Sequence, residues 1–155
     1  MEIEIPGYQS LHIEHLAMDY NGTLAVDGQL IDGVKDTLNQ IAESISLHVL
    51  TADTFGRAAK GLEGVDCKLS VLPEADQAGG KLDYVRAIGA EKTMSIGNGR
   101  NDRLMLQACG LGVAVILEEG AAMETVSAAD IVCRSIVSAL ELLIHPLRLT
   151  ATLRS

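Results

Sequence analysis

The stretch Leu16-Ala17-Met18-Asp19-Tyr20-Asn21-Gly22-Thr23-Leu24 decides how the rest of the chain is read. An apolar run ends on a carboxylate and passes at once into a glycine-bearing turn, as when a buried strand delivers a side chain to the rim of a sheet. The strand is predicted over His12–Asp19. Downstream, NGTLAVDGQLIDG is rich in turn residues, and Asp27-Gly28 signals a small flap hairpin over Leu24–Leu30. Val34, Leu38, Ile41 and Ala42 then recur at helical spacing within Val34–Glu43. Further strands are predicted over Ser46–Thr51, Cys67–Leu72 (stopped by Pro73), Thr93–Ile96, Leu111–Val115 and Ile131–Cys133. Helices are predicted over Phe55–Leu62, Lys81–Ile88, Asn101–Ala108, Ala121–Val126 and Val137–Ile144. This alternation predicts an α/β fold: a doubly wound, mainly parallel sheet of five to six strands with helices on both faces, in one domain over residues 1–155. The closing HPLRLTATLRS is read as a frayed or edge-packed terminus.

Composition narrows the functions open to such a domain. Aromatics make up 3% of the residues and there is no Trp, so the chain lacks the faces of a base-stacking platform. The formal net charge of −9 repels nucleic-acid backbones and anionic membranes at long range. A local anion site built from main-chain N–H groups and one lysine remains compatible with that charge. Cys67, Cys109 and Cys133 form no CxxC pair and are read as free thiols of a reducing compartment. MEIEIPGYQS carries no basic or apolar leader, and no apolar run reaches the roughly 20 residues of a bilayer span; a cytoplasmic location is expected. His12, His15, His48 and His145 show no metal-ligand spacing, and His12 and His15 are expected on opposite faces of one strand.

Ligands of open parallel α/β sheets bind outside the carboxyl ends of the strands, so strand ends hold the candidate residues. The first strand ends at Asp19 and the second at Thr51, followed by Ala52 and Asp53. Lys81 opens a helix after Gly79-Gly80, and the fourth strand runs into Gly97-Asn98-Gly99-Arg100-Asn101-Asp102. Two carboxylates, a hydroxyl and an ammonium at one rim suit phosphoryl transfer. A carboxylate can attack phosphorus to give an acyl-phosphate. A cation such as Mg²⁺ held by Asp19 and Asp102 would offset the meeting of two anions, while Thr51 and Lys81 hold the phosphoryl oxygens. Gly22 allows close main-chain approach to a phosphate.

Four of these segments, in order, resemble the motifs of the haloacid dehalogenase-like superfamily: MDYNGTL the first, VLTAD the second, Lys81 the third and SIGNGRNDRLML the fourth. The resemblance spans roughly residues 16–115, and GNGRND followed by GVAV is most similar to the phosphorylation domain of P-type ATPases and its soluble relatives. It implies an Mg²⁺-dependent hydrolase acting through an aspartyl-phosphate on Asp19. Catalytic roles fall to Asp19, Asn21, Thr51 and Lys81. Metal binding falls to Asp19, the carbonyl of Asn21, Asp102 and the position of Asn98, and phosphate binding to Gly22, Thr51, Ala52 and Lys81. No cap domain is expected, since too few residues separate the motifs. The substrate would be a phosphorylated small molecule or macromolecule, and a second copy or partner protein could complete so open a site.

Two departures from the superfamily pattern bear on rate. Asn21 stands where an acid–base aspartate is usual, which predicts slow turnover, and Asn98 removes one negative charge from the metal position. The same two residues define the alternative: a non-catalytic subunit with this fold that binds Mg²⁺ or phosphate without turnover. A receiver domain fits poorly, because DYN and LPEAD do not supply its acidic pair and acceptor. A dinucleotide site lacks its G-x-G-x-x-G after the first strand.

Overall fold

The computed structural model describes residues 1–53 and 56–155. Six strands form one sheet: β3 (His15–Asp19), β6 (Ser46–Thr51), β7 (Lys68–Val71), β8 (Thr93–Gly97), β9 (Leu111–Val115) and β10 (Ile131–Cys133). Their order is β10-β9-β8-β3-β6-β7, and every pairing between them is parallel. Strand order reverses at β3, whose two neighbours β6 and β8 come from opposite halves of the sequence. That reversal opens the crevice above the carboxyl end of β3.

Both faces of the sheet are covered, which accounts for strands that are apolar on both sides. On β3, Leu16 and Met18 point into the larger core while Ala17 points into the smaller one. The larger core is closed by α1 (Val34–Ala42), α2 (Arg57–Gly61) and α6 (Ile136–Ile144). Helix α1 contributes Val34, Leu38 and Ile41, spaced to lie on one stripe. The opposite face is covered by α3 (Gln77–Ile88), α4 (Arg103–Ala108) and α5 (Met123–Ala128), around Leu50, Val85, Met105 and Ala114.

The expected flap is present as β4 (Ala25–Val26) paired antiparallel with β5 (Gln29–Leu30), with Asp27 and Gly28 both at positive φ in the turn. Apart from this hairpin, only helices and sheet strands intervene between the motif segments among the described residues, so no cap domain is inserted.

Four local expectations are corrected. The strand predicted over His12–Asp19 is two elements: β2 (Ser10–His12) pairs antiparallel with β1 (Glu2–Glu4), and β3 begins at His15. His12 and His15 therefore sit on different strands. His15 Nδ1 lies 3.2 Å from His48 Nε2, and His48 Nδ1 lies 2.9 Å from the Tyr84 hydroxyl. Burial, with His15 and Lys68 nearby, pushes His48 down to about 4. Helix α3 starts at Gln77 rather than Lys81, because the Asp76 carboxylate caps it by accepting from the Gly79 N–H at 3.1 Å. Lys81 thus stands one turn inside the helix. The helix predicted from Phe55 has its first residue outside the described residues, and α2 runs over Arg57–Gly61.

The fourth correction concerns the tail, read as frayed or edge-packed: it is packed rather than frayed, and it is helical. It forms α7 (Pro146–Leu153), with Pro146 at the first helical turn, and Leu149 is fully buried. Ser155 closes onto the loop after β1 through its N–H to the Pro6 carbonyl at 3.2 Å. Among the described residues no single helix is long and apolar enough to cross a membrane. Leu149→Ala is expected to cost about 2–5 kcal/mol in urea unfolding, as for a buried leucine; a loss below about 0.5 kcal/mol would show the tail to be peripheral.

Candidate functional site

The register of the sheet assembles the site. Asp19 is paired with Leu50 on β6, and Met18 with Ile96 on β8, so Asp19 emerges between the ends of both neighbours. Thr51 lies one residue beyond Leu50, and Gly97 one beyond Ile96. Lys81 arrives from α3, fully buried. Its Nζ is 2.7 Å from Asp19 Oδ1 and 2.6 Å from Asp102 Oδ1. One ammonium therefore bridges the two carboxylates.

Asp102 is held from behind. Its Oδ2 accepts the main-chain N–H groups of Asn98 at 3.0 Å and Gly99 at 2.9 Å. Gly97 makes room for this fold-back, since a Cβ there would lie 2.5 Å from Asp102 Cγ. With both oxygens engaged and no exposed surface, Asp102 fixes Lys81 and the β8 turn together. Asp19 is 8% exposed and is the carboxylate that faces the crevice.

The electrostatics follow from one cation serving two buried anions. Burial raises the Asp19 carboxyl, the Asp102 charge raises it further, and Lys81 opposes both, leaving it pushed up to about 7. Burial alone would lower the Lys81 ammonium, but Asp19 and Asp102 together outweigh it and hold it above the ordinary lysine value. The cluster is short of one positive charge.

Thr51 is buried, and its Oγ1 accepts the Asp53 N–H at 3.1 Å. Asp53 in turn caps α2 through the Ala58 N–H at 2.7 Å. Ala52, half-buried, presents main chain between them. The side chain of Asn21 is exposed, and Gly22 behind it is at φ +74°, a conformation that glycine adopts freely. Asn98 is committed at both ends of its amide: Oδ1 accepts from the Thr23 hydroxyl at 3.2 Å, and Nδ2 donates to the Gly120 carbonyl at 3.1 Å.

One acidic residue at this rim lay outside the sequence reading. A Cβ on Gly22 would stand 2.5 Å from Asn98 Nδ2 and 2.7 Å from Glu119 Oε2. Glu119 belongs to the turn after β9, about a hundred residues away in sequence and without a motif of its own, so no local signal marks it. Among the described residues no group of three or more His, Cys, Asp or Glu is placed to hold a metal ion. Any cation here would rest on Asp19, main-chain carbonyl and amide oxygen, with Asp102 behind. The charge deficit and the hard oxygen donors at this strand end fit a small hard cation.

Comparison with known proteins supports the same architecture. The sequence pattern of the haloacid dehalogenase-like hydrolase family matches residues 83–137. An uncharacterized protein of Methanocaldococcus jannaschii is 47% identical over 64 residues, covering 41% of this chain and 69% of that protein. The cobalt-bound deoxy-D-mannose-octulosonate 8-phosphate phosphatase of Haemophilus influenzae superposes with a TM-score of 0.72 at 16% identity, covering 93% of this chain and 94% of that one. The 3-deoxy-D-manno-octulosonate 8-phosphate phosphatase of Moraxella catarrhalis, solved with magnesium, phosphate and the sugar acid, superposes at 0.67 with 18% identity over 86% and 87% of the two chains. At these identities the structural likeness shows the fold.

Asp19 makes stability depend on pH in a definite direction. With its folded value at about 7 against an ordinary 3.8, the folded protein keeps a proton that the unfolded chain releases. The stabilisation is full below the unfolded value and is lost as pH rises through the folded one. Metal-free protein is expected to lose on the order of 2 kcal/mol between pH 5 and pH 8, and Asp19→Asn to flatten that slope in urea titrations. An unchanged slope in the variant would place the proton elsewhere.

Proposed function

We propose that this chain, which belongs to the haloacid dehalogenase-like family, is a Mg²⁺-dependent phosphatase or phosphotransferase that works through an aspartyl-phosphate on Asp19. The observation that carries the reading is Lys81, buried and bridging Asp19 and Asp102 at the point where strand order reverses. A purely structural salt bridge has no need of that position, whereas a phosphoryl site does.

Lys81 occupies Asp19 Oδ1, so attack on phosphorus falls to Oδ2. A bond forms from Oδ2 to phosphorus as the bond from phosphorus to the ester or anhydride oxygen breaks, and the leaving oxygen takes a proton from solvent. Water then attacks the acyl-phosphate, which releases phosphate and restores the carboxylate. The Lys81 ammonium and the Thr51 hydroxyl stand where charge develops on the transferring oxygens, and the main-chain N–H of Ala52 adds to the cradle. Mg²⁺ bound by Asp19, the Asn21 carbonyl and the Asn98 amide oxygen, with Asp102 adding its charge from behind, would neutralise the incoming phosphate.

The absence of an acid–base carboxylate at Asn21 supports slow turnover and a longer-lived phosphoenzyme, as the likeness to P-type ATPase phosphorylation domains also suggests. Without a cap the site is open, which suits either a phosphorylated small molecule, as the octulosonate phosphatases handle, or a phosphate on a larger substrate. The alternative, a binding subunit without turnover, rests on Asn21 and on the engagement of Asn98 with Thr23 and Gly120.

Phosphate release from an aryl phosphate separates these readings. The wild type is expected to turn over slowly with Mg²⁺ and not after chelation, and Asp19→Asn is expected to be inactive. Asn21→Asp is expected to accelerate release by about 100-fold, the lower end of what a positioned general acid–base contributes. No turnover above Asp19→Asn, with Asn21→Asp equally silent, would favour the binding subunit.

A further inference from the structure

The turn after β9 is built to carry a charge toward the site. It closes with the Gly120 N–H on the Leu117 carbonyl at 3.0 Å, and its two central residues are Glu118 and Glu119. Glu118 lines a cavity of about 610 Å³ between the flap hairpin and the start of α6. Glu119 turns the other way: its Oε2 reaches the same point above Gly22, the residue after Asn21, as the Asn98 amide.

Asn98 holds this turn in place. Its Nδ2 donates to the Gly120 carbonyl at 3.1 Å, and its own carbonyl accepts the Ala122 N–H at 2.9 Å. An aspartate at position 98 has no donor for Gly120 and would set a negative charge against that carbonyl. The residue that removes a charge from the strand end is therefore the one that anchors a loop bearing a charge.

We propose that Glu119 supplies the negative charge that Asn98 withholds, acting as an outer-sphere carboxylate for the Mg²⁺ of this site; this rests on the metal reading given above. Mg²⁺ keeps several of its waters when protein-bound, and a carboxylate a few Å from the ion accepts hydrogen bonds from them. The charge balance agrees. Asp19, Asp102 and Lys81 sum to one negative charge, and Glu119 brings the total to two, matching a divalent cation. Glu119 is a positioning residue in this role and makes no bond to phosphorus.

Calorimetric titration of the metal-free full chain with MgCl₂ tests the assignment without reference to turnover. Glu119→Gln is expected to weaken Mg²⁺ binding about tenfold, as for one unit charge acting across a partly solvated gap of a few Å. Glu119→Asp is expected to fall between that variant and the wild type. Glu118→Gln, on the same turn but facing the cavity, is expected to stay within about twofold of the wild type, which controls for any general effect of loop charge. Because Glu119 is exposed, its variants should unfold as the wild type does without metal. Unchanged affinity in Glu119→Gln, while Asp19→Asn loses binding, would overturn the role of Glu119 and leave the metal site standing. A wild type that binds no Mg²⁺, or an Asp19→Asn that binds it equally well, would overturn the metal reading and this inference with it.

Discussion

The buried Lys81 ammonium is the constraint on which the rest of the structure depends. A lysine without exposed surface is tolerated only when its charge is answered, and here Asp19 and Asp102 answer it from two different strand ends. Removing Lys81 would leave two carboxylates uncompensated in the interior, so the ammonium fixes both of them. The three side chains also fix backbone. Lys81 sets the height of α3 over the sheet, Asp102 clamps the β8 turn through two N–H groups, and Asp19 ends the strand at which the sheet reverses. Such a triad is costly as architecture alone, because well-packed apolar side chains would stabilise an interior at least as well. Its position at the mouth of the crevice gives the cost a purpose: the negative imbalance it leaves is one that a divalent cation and a phosphoryl group together can resolve.

The two amides that replace carboxylates have separate consequences. Asn21 is exposed at the rim and removes a proton donor without disturbing its surroundings. Asn98 is nearly buried and does structural work, tying the Thr23 hydroxyl on one side to the Gly120 carbonyl on the other. In the proposed reaction the first change removes general acid–base help. The second joins the loop after β9 to the turn after β3, and through it the Glu119 carboxylate reaches the site.

Much of this was legible in the sequence because strand ends are marked by abrupt changes of residue class. The step from Leu-Ala-Met to Asp-Tyr-Asn-Gly located the end of β3, and Ser-Ile-Gly-Asn-Gly located that of β8. β9, buried on both faces, read as a continuous apolar run, and the edge strand β10 as a short one, so both were legible to the residue. The start of α3 was hidden by Gly79-Gly80, which read as a break although Asp76 caps the helix ahead of them. The terminal helix was hidden by its apolar residues falling at alternate positions, Leu147, Leu149, Ala151 and Leu153, and by the distance, nearly the whole chain, to the β1–β2 hairpin it packs against. Glu119 was hidden for a similar reason. Nothing in Leu-Glu-Glu-Gly distinguishes it from a solvated turn, and only the strand order brings it to Gly22. Local chemistry marks the ends of elements; which ends meet is set by topology.

The most direct test of the central claim is to identify the atom that accepts phosphate. The protein would be incubated with acetyl phosphate and Mg²⁺, quenched in acid, reduced with borohydride and mapped by peptide mass spectrometry. An acyl-phosphate on a carboxylate is reduced to an alcohol, so the account predicts homoserine at position 19, dependent on Mg²⁺ and absent without the phosphodonor. Phosphate release with position 19 unmodified, or a reduced carboxyl at any other position, would contradict it.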